Sequence, residues 1–468
     1  MTQDTGKPLS GATLFAYALP AAPIAALGLP LLVYLPRFYA GYMGFGLVAI
    51  RQIFLIIRLW DVFVDPVLGV LSDRFPTRWG RRRHWIALSV PITALATYML
   101  FLPERGVGNL YLVVWMLVLY VGWSLLTLSH VAWGAELSDD YHERSRIQSW
   151  RQAVLVIGLV VVLIVPTVAV QLHPSAEPEA TQVGAMGWFV LMTLPLAALW
   201  ALVGVPERAT PPRPHVSLRR AWGVLLRNHP LQILLAADLI SGVATGIVAT
   251  LFLYLAQDVL QLGQTGSSIA LLVYFLAGIA FAAPILQISK RFGKHRTAAL
   301  SALWTACLQP AIWLLPTGSA VPAFILLAAL GLNYTAGPFL YQSMMADVAD
   351  HDTVATGQAR TGLFFSFLTM TNKLGQAFAI WIAFSLLHWV GFHPGAENTP
   401  EALIGFRLVY VVPTSLIAAG TALLLWYFPL DEARQRANRA TLERRALAAV
   451  ASAIDVTIAE PSEPAVAE

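Results

Sequence analysis

Residues 58 to 85 read RLWDVFVDPVLGVLSDRFPTRWGRRRHW, an apolar run that carries Arg58, Asp61 and Asp65 before it ends in a cluster of arginines. On a helix these three charged residues fall within about 60° of one another and form one polar stripe on an otherwise lipid-compatible surface. One arginine neutralises one carboxylate, and the second acid, followed by the helix-bending Pro66, then needs a mobile positive charge. Asp61 and Asp65 therefore read as a cation site, for a proton on a carboxylate or a sodium ion held by both. The plainer alternative is a salt bridge between Arg58 and Asp61 that only ties helices together. A complement lies in SFLTMTNKLGQAFAIW, where Lys373 sits deep in a second apolar run. A lysine so placed must find an acid or lose its proton, and facing Asp61 or Asp65 satisfies both partners.

Other candidates surround this set. The segment LLTLSHVAWGAEL offers Ser129, His130 and Trp133, with Ser129 and Trp133 one helical turn apart on the same face. Ser129 is a further oxygen for the cation, and Trp133, Arg151, His130 and Thr369 are the candidate substrate contacts. His130 has a second reading, a histidine hydrogen-bonded in a helix interface, beside that of a proton relay near neutral pH. Asp238 lies near a span end, where pairing is favoured over transport, and Asn333 and Tyr334 are within reach of a central cavity. Asp73, with Arg81 and Arg82, reads as a conformational latch or as a cluster that sets topology; both readings can hold together. No catalytic set stands out, and no metal is expected beyond sodium at Asp61 and Asp65. The DVFVD string also matches aspartates that grip magnesium and a diphosphate in intramembrane prenyltransferases. Its depth near the midplane separates it from DVADHD at a helix end, which disfavours that reading.

The elements that must position these residues follow from composition. The 468 residues are 57% hydrophobic and 12% charged, with a mean hydropathy of +0.66. This is an all-α integral membrane protein. Twelve apolar stretches each suffice to cross a hydrocarbon core about 30 Å thick. They cover 12–36, 44–72, 84–103, 109–136, 147–172, 185–205, 230–257, 266–289, 296–316, 320–346, 361–389 and 402–428. Asp61 then lies about 16 Å from its span's end and Lys373 at similar depth, where an ionisable group marks an ion or substrate path. The polar start MTQDTGKPLSGA has no signal-peptide pattern, and the single cysteine, Cys307, has no partner within the chain. The pI of about 9.2 comes from short loops after the even-numbered spans. It is a topology signal with both termini cytoplasmic, and no nucleic acid is implied.

The chain also repeats itself. RWGRRRHW after the second span is answered by SKRFGKHRTA after the eighth, and the loop after the fourth span by MADVADHDTVATGQAR after the tenth, with Arg151 matching Arg360. The halves predict two pseudo-symmetric six-helix bundles, 1–205 and 230–428, joined by a connector at 206–229. Residues 429–468 read as a cytoplasmic amphipathic helix and then, from Asp455, a disordered tail. No nucleotide-binding loop GxxxxGK[ST] is present, so energy must come from an ion gradient and no cofactor is expected.

RLWDVFVDPVLGVLSDR, RWGRRRHW, DDYHERSR, ADVADHD and Lys373 together resemble the glycoside-pentoside-hexuronide:cation symporters of the major facilitator superfamily, over essentially the whole chain. The resemblance implies a twelve-helix, two-bundle carrier, a monomer in the inner membrane, that takes up a solute by alternating access. It implies cation-site roles for Asp61 and Asp65, charge coupling for Arg58 and Lys373, a span-five arginine role for Arg151 and sugar stacking for Trp133. The chain departs from the family at Val64, Leu126 and Ser129, where two or three sodium ligands are expected. That favours a proton over sodium as the coupling ion. The first span, FAYALPAAPIAALGLPLL, lacks the family's sugar-binding acid, which leaves a glycoside, a sugar acid or another organic solute. Vertebrate lysophospholipid symporters resemble the same family, so a lipid-like solute is the alternative.

Overall fold

The computed structural model describes residues 9–459 except 76, 78, 139–140, 173–176, 207–217, 335, 358–360 and 395–396. Helices account for nearly all of them. Within the first half lie α1 (Gly11–Tyr42), α2 (Leu47–Arg74), α3 (Arg83–Phe101), α4 (Asn109–Glu136), α5 (Tyr141–Leu172) and α6 (Pro178–Gly204). The short α7 (Leu218–Arg227) precedes α8 (His229–Val259), α9 (Gly263–Phe292), α10 (Lys294–Leu314), α11 (Ala320–Gly331), α12 (Ala336–Thr356), α13 (Thr361–Trp389) and α14 (Pro400–Trp426). Finally α15 (Glu432–Ala459) runs past Asp455, where an alanine-rich stretch extends the helix beyond the point at which disorder is expected from sequence. Residues 460–468 of that expected tail lie outside the described residues.

Among the described residues, ten helical segments, counting α11 with α12 as one, are long and apolar enough to cross a membrane. The helices α2 and α13, of 28 and 29 residues, have the length as well. They also carry the polar residues of the seam: α2 has Arg58, Asp61 and Asp65, and α13 has Asn372, Lys373 and Gln376. These two charge-bearing helices meet each other. Across the halves α2 packs on α13, α1 on α8, and α5 on α9.

Proline and glycine shape the helices that position the site. Four prolines interrupt the α1 ladder, which widens to i→i+5 turns at Pro30–Tyr34 and Phe38–Tyr42. A similar turn closes α8 at Leu255–Val259. Gly80 and Gly293, the paired loop glycines of the sequence repeat, both have positive φ, 115° and 85°. Each therefore makes a reversal that a side chain would strain.

Gly375 on α13 lets α8 approach so closely that a Cβ there would lie 2.4 Å from the Leu239 carbonyl oxygen and 3.0 Å from the Gly242 Cα. Backbone cannot yield as a side-chain tip can, so Gly375→Ala must push the helices apart two residues from Lys373. We expect it to destabilise the protein by about 1–3 kcal/mol, read as a lower melting temperature in detergent. Melting at the wild-type temperature would mean that this contact is soft.

Candidate functional site

The charged residues of α2 and α13 meet between the halves. Lys373 Nζ lies 2.9 Å from Asp61 Oδ2 and 2.5 Å from Asp65 Oδ2. Asp61 is the inner acid, with its side chain 1% exposed, whereas those of Asp65 and Lys373 are 20% and 25% exposed. The second Asp61 oxygen accepts from Ser124 Oγ of α4 at 3.1 Å. One ammonium thus serves two carboxylates in a site largely removed from water, where an unpaired charge is costly.

Arg58 does not play the part of the plainer reading. It is buried at 7% exposure, and its guanidinium carbon sits 5.5 Å from the centre of the Tyr120 ring on α4. Lys373 takes the acids instead. Two carboxylates, Lys373 and Arg58 make a set whose formal charges cancel, with Lys373 on the carboxylate oxygens.

The remaining candidates divide into groups. Ser129, His130 and Trp133 are fully buried on α4, around Tyr17 of α1. His130 Nε2 lies 2.7 Å from the Tyr17 carbonyl oxygen, and its ring stacks on the Tyr17 ring at 4.7 Å. Trp133 meets Tyr17 edge to face at 6.4 Å, with the Arg83 guanidinium 5.9 Å away. Arg151 on α5 donates through Nε to Gln148 Oε1 at 2.9 Å. Thr369 is exposed, one turn before Lys373 on the same face of α13, and donates to the Phe365 carbonyl at 3.0 Å.

At the arginine-rich end, Arg82 donates to Glu136 Oε1 through Nε at 3.1 Å and Nη2 at 2.8 Å. Arg81 approaches the same oxygen at 3.8 Å. The Asp73 side chain lies outside the described residues.

Three features escape a reading of the sequence. Ser124 and Tyr120 stand four residues apart on α4, and that spacing on an apolar helix is the signal that they share a face. Glu136 closes α4 as the partner of the arginines. The third feature lies at the arginine-poor end, where Arg37 makes two hydrogen bonds to Asp258, 2.8 and 3.0 Å, and an ion pair to Glu179 at 3.4 Å. Its guanidinium carbon also lies 4.7 Å from the centre of the Tyr254 ring. Arg51 to Ser385 at 3.1 Å and Gln182 to Ser268 at 3.4 Å join the halves at the same end.

A helical membrane body whose two halves meet around buried, mutually neutralising charges is built as a secondary transporter. The chain belongs to the MFS/sugar transport protein family, whose model matches residues 16–432, the group that the intramembrane motifs resemble. It is 24% identical over 417 residues to the glucuronide carrier protein homolog of Escherichia coli (strain K12), covering 86% of this chain and 88% of that one. It is 25% identical over 427 residues to the sodium-dependent lysophosphatidylcholine symporter 1 of Homo sapiens, covering 82% and 77%. The solved D-xylose-proton symporter superposes with a TM-score of 0.64 at 14% identity over 90% of this chain and 97% of that one. The protein is an integral membrane transporter of a small-molecule solute and not an enzyme.

Proposed function

We propose that the protein couples the movement of a cation, a proton in preference to sodium, to uptake of a sugar, glycoside or related organic solute. The observation that carries this reading is Lys373 shared between Asp61 and Asp65 at the seam of the halves. A cation that reaches those carboxylates competes with Lys373, frees it from α2 and so changes the energy of the α2–α13 contact. Occupancy of the acids then biases which face of the seam is open. The proton preference rests on oxygen supply. Beside the two carboxylates stands the Ser124 hydroxyl, whereas Val64 and Leu126 are buried hydrocarbon. A sodium ion needs several oxygens and a proton needs one.

The proposed carrier is a monomer in the inner membrane, with twelve crossings arranged as bundles 1–205 and 230–428 and a connector at 206–229. The arginine-rich loops and both termini face the cytoplasm. The bridges of Arg37, Arg51 and Gln182 then lie at the outer face and hold it shut. Substrate contact by Trp133, Arg151, His130 and Thr369 belongs to this reading, as do a cation-site role for Ser129 and the latch of Asp73, Arg81 and Arg82. Kinship with a lysophosphatidylcholine symporter supports a second reading, a lipid-like solute on the same ion cycle.

Proteoliposomes with an imposed proton or sodium gradient test both. We expect a neutral or acidic sugar to accumulate under a proton gradient in sodium-free buffer. Accumulation driven by sodium alone would overturn the ion assignment, and transport of lysophosphatidylcholine alone would select the second reading.

A further inference from the structure

A cavity of about 240 Å³ lies inside the second half, apart from the Lys373 cluster, among α8, α9, α10, the α11–α12 junction, α13 and α14. At ~30 Å³ per water its volume is that of roughly eight waters, the scale of one sugar ring. It falls below the ~300–1,000 Å³ of pockets for drug-sized ligands. Its wall is rich in hydroxyl, amide and phenol groups and includes one carboxylate, that of Asp238.

Three observations mark it as a place for a polar ligand. First, the backbone is irregular where it borders the cavity. The junction between α11 and α12 is turned through Asn333 and Tyr334, with Tyr334 N bonding Gly331 O at 2.8 Å and Ala336 N bonding Asn333 O at 3.1 Å. On a third side α10 tightens into a 3₁₀ turn from Gln309. Broken helices at membrane depth occur where they line a cavity, and in transporters they border the substrate.

Second, Gln309 is 2% exposed and lines the cavity with its side chain beside the Tyr410 phenol, and its Nε2 makes no well-formed hydrogen bond among the described residues. A buried amide donor facing polar space calls for an acceptor.

Third, Asp238 is 3% exposed and is held by Thr371 Oγ1 at 2.7 Å and, more loosely, by Asn372 Nδ2 at 3.4 Å. Its two oxygens offer about four acceptor sites, more than these two donors fill.

We propose that this cavity is a substrate subsite for the neutral, hydroxyl-rich ring of a sugar-like solute. Asp238 accepts from ring hydroxyls, Gln309 donates to one, and the tyrosine faces of the wall, Tyr334 among them, cover the ring's apolar side. The carboxylate repels a uronate or sulfonate at this point, so an anionic group on the solute must point away from it. The site also adjoins the coupling machinery, because Asn372, which touches Asp238, immediately precedes Lys373 on α13. This inference rests on the carrier reading above and names the chemistry of its cargo.

The test is counterflow exchange of radiolabelled methyl β-D-glucoside and of D-glucuronate in proteoliposomes, which needs no ion gradient. Gln309→Leu keeps the volume and removes the amide donor. Asp238→Asn keeps the shape and removes the charge. Loss of one neutral hydrogen bond should raise the half-saturating glucoside concentration about 10-fold, and loss of the charged acceptor about 10- to 100-fold. The Asp238→Asn change should also narrow the preference for glucoside over glucuronate. Wild-type saturation in both variants, each shown folded by its melting curve, would overturn the subsite. So would exchange of lysophosphatidylcholine in place of both sugars. Failure of the coupling reading has a different signature: glucoside exchange by the wild type with no accumulation under either ion gradient.

Discussion

Asp65→Asn is expected to abolish gradient-driven accumulation while the protein still folds and reaches the membrane. The substitution keeps the size of the side chain and removes the acid nearest Lys373, 2.5 Å away. Lys373 retains Asp61 at 2.9 Å, so the buried ammonium stays paired and the α2–α13 seam is not left with an orphaned charge. The cluster has nonetheless lost the second carboxylate, the one whose charge exceeds what Lys373 alone can neutralise. A potential of 100 mV is worth ~2.3 kcal/mol per charge moved, which corresponds to about 50-fold accumulation for one cation per solute. The variant should bring that ratio to about 1, with the solute merely equilibrating. Initial and plateau uptake, compared with and without an imposed potential, supply the check. Concentrative uptake by the variant would remove Asp65 from the ion path.

Depth and face are properties that a helix confers locally, which is why the trio of Asp61, Asp65 and Lys373 is legible in the amino-acid sequence alone. Counting residues from a span end gives height, 100° per residue gives the face, and neither depends on a neighbour. The choice between Arg58 and Lys373 as the acids' partner is not legible there, because it turns on the rotation of α2 against α4 and α13. In the fold Arg58 turns to the Tyr120 ring on α4. Ser124 is hidden for a related reason. A serine in an apolar helix is unremarkable until its partner, 63 residues away, is brought opposite it.

Hydropathy marks most of the helices well, and α2 and α13 stand apart from the other spans because they carry the charged and amide residues of the seam. The cavity around Asp238 lies beyond sequence reading because α8 through α14 all contribute to its wall. Asp238, Asn333 and Tyr334 stand out in the sequence one by one, but nothing there brings them to a common space with Gln309.

Arg37 shows the same limit most sharply, since it stands just past the first apolar stretch and its partner Asp258 lies 221 residues on. The structure makes it the centre of a bridge between α1, α6 and α8, with its own side chain 8% exposed and those of Asp258 and Glu179 18% and 24% exposed. The widened turn that ends α1 begins at Phe38, immediately after Arg37, and the one that ends α8 contains Asp258. Such turns re-aim side chains relative to a regular helix. Removing the guanidinium by Arg37→Ala leaves two carboxylates near each other with no cation between them, but only while the halves are closed at this end. When they part, water reaches both acids, so the penalty falls on one conformation alone.

Breaking a largely buried pair costs about 3 kcal/mol or more, which would shift the closed-to-open ratio at this face on the order of 100-fold. Arg37→Lys keeps the charge but loses the two-pronged grip, and its shift should be smaller. Spin labels at positions 110 and 314, both exposed at this end of the two halves, report the opening as a longer distance in a Cys307→Ser background. An unchanged distance distribution in Arg37→Ala would mean that apolar packing of α1 on α8 holds this face shut without the ionic bridge.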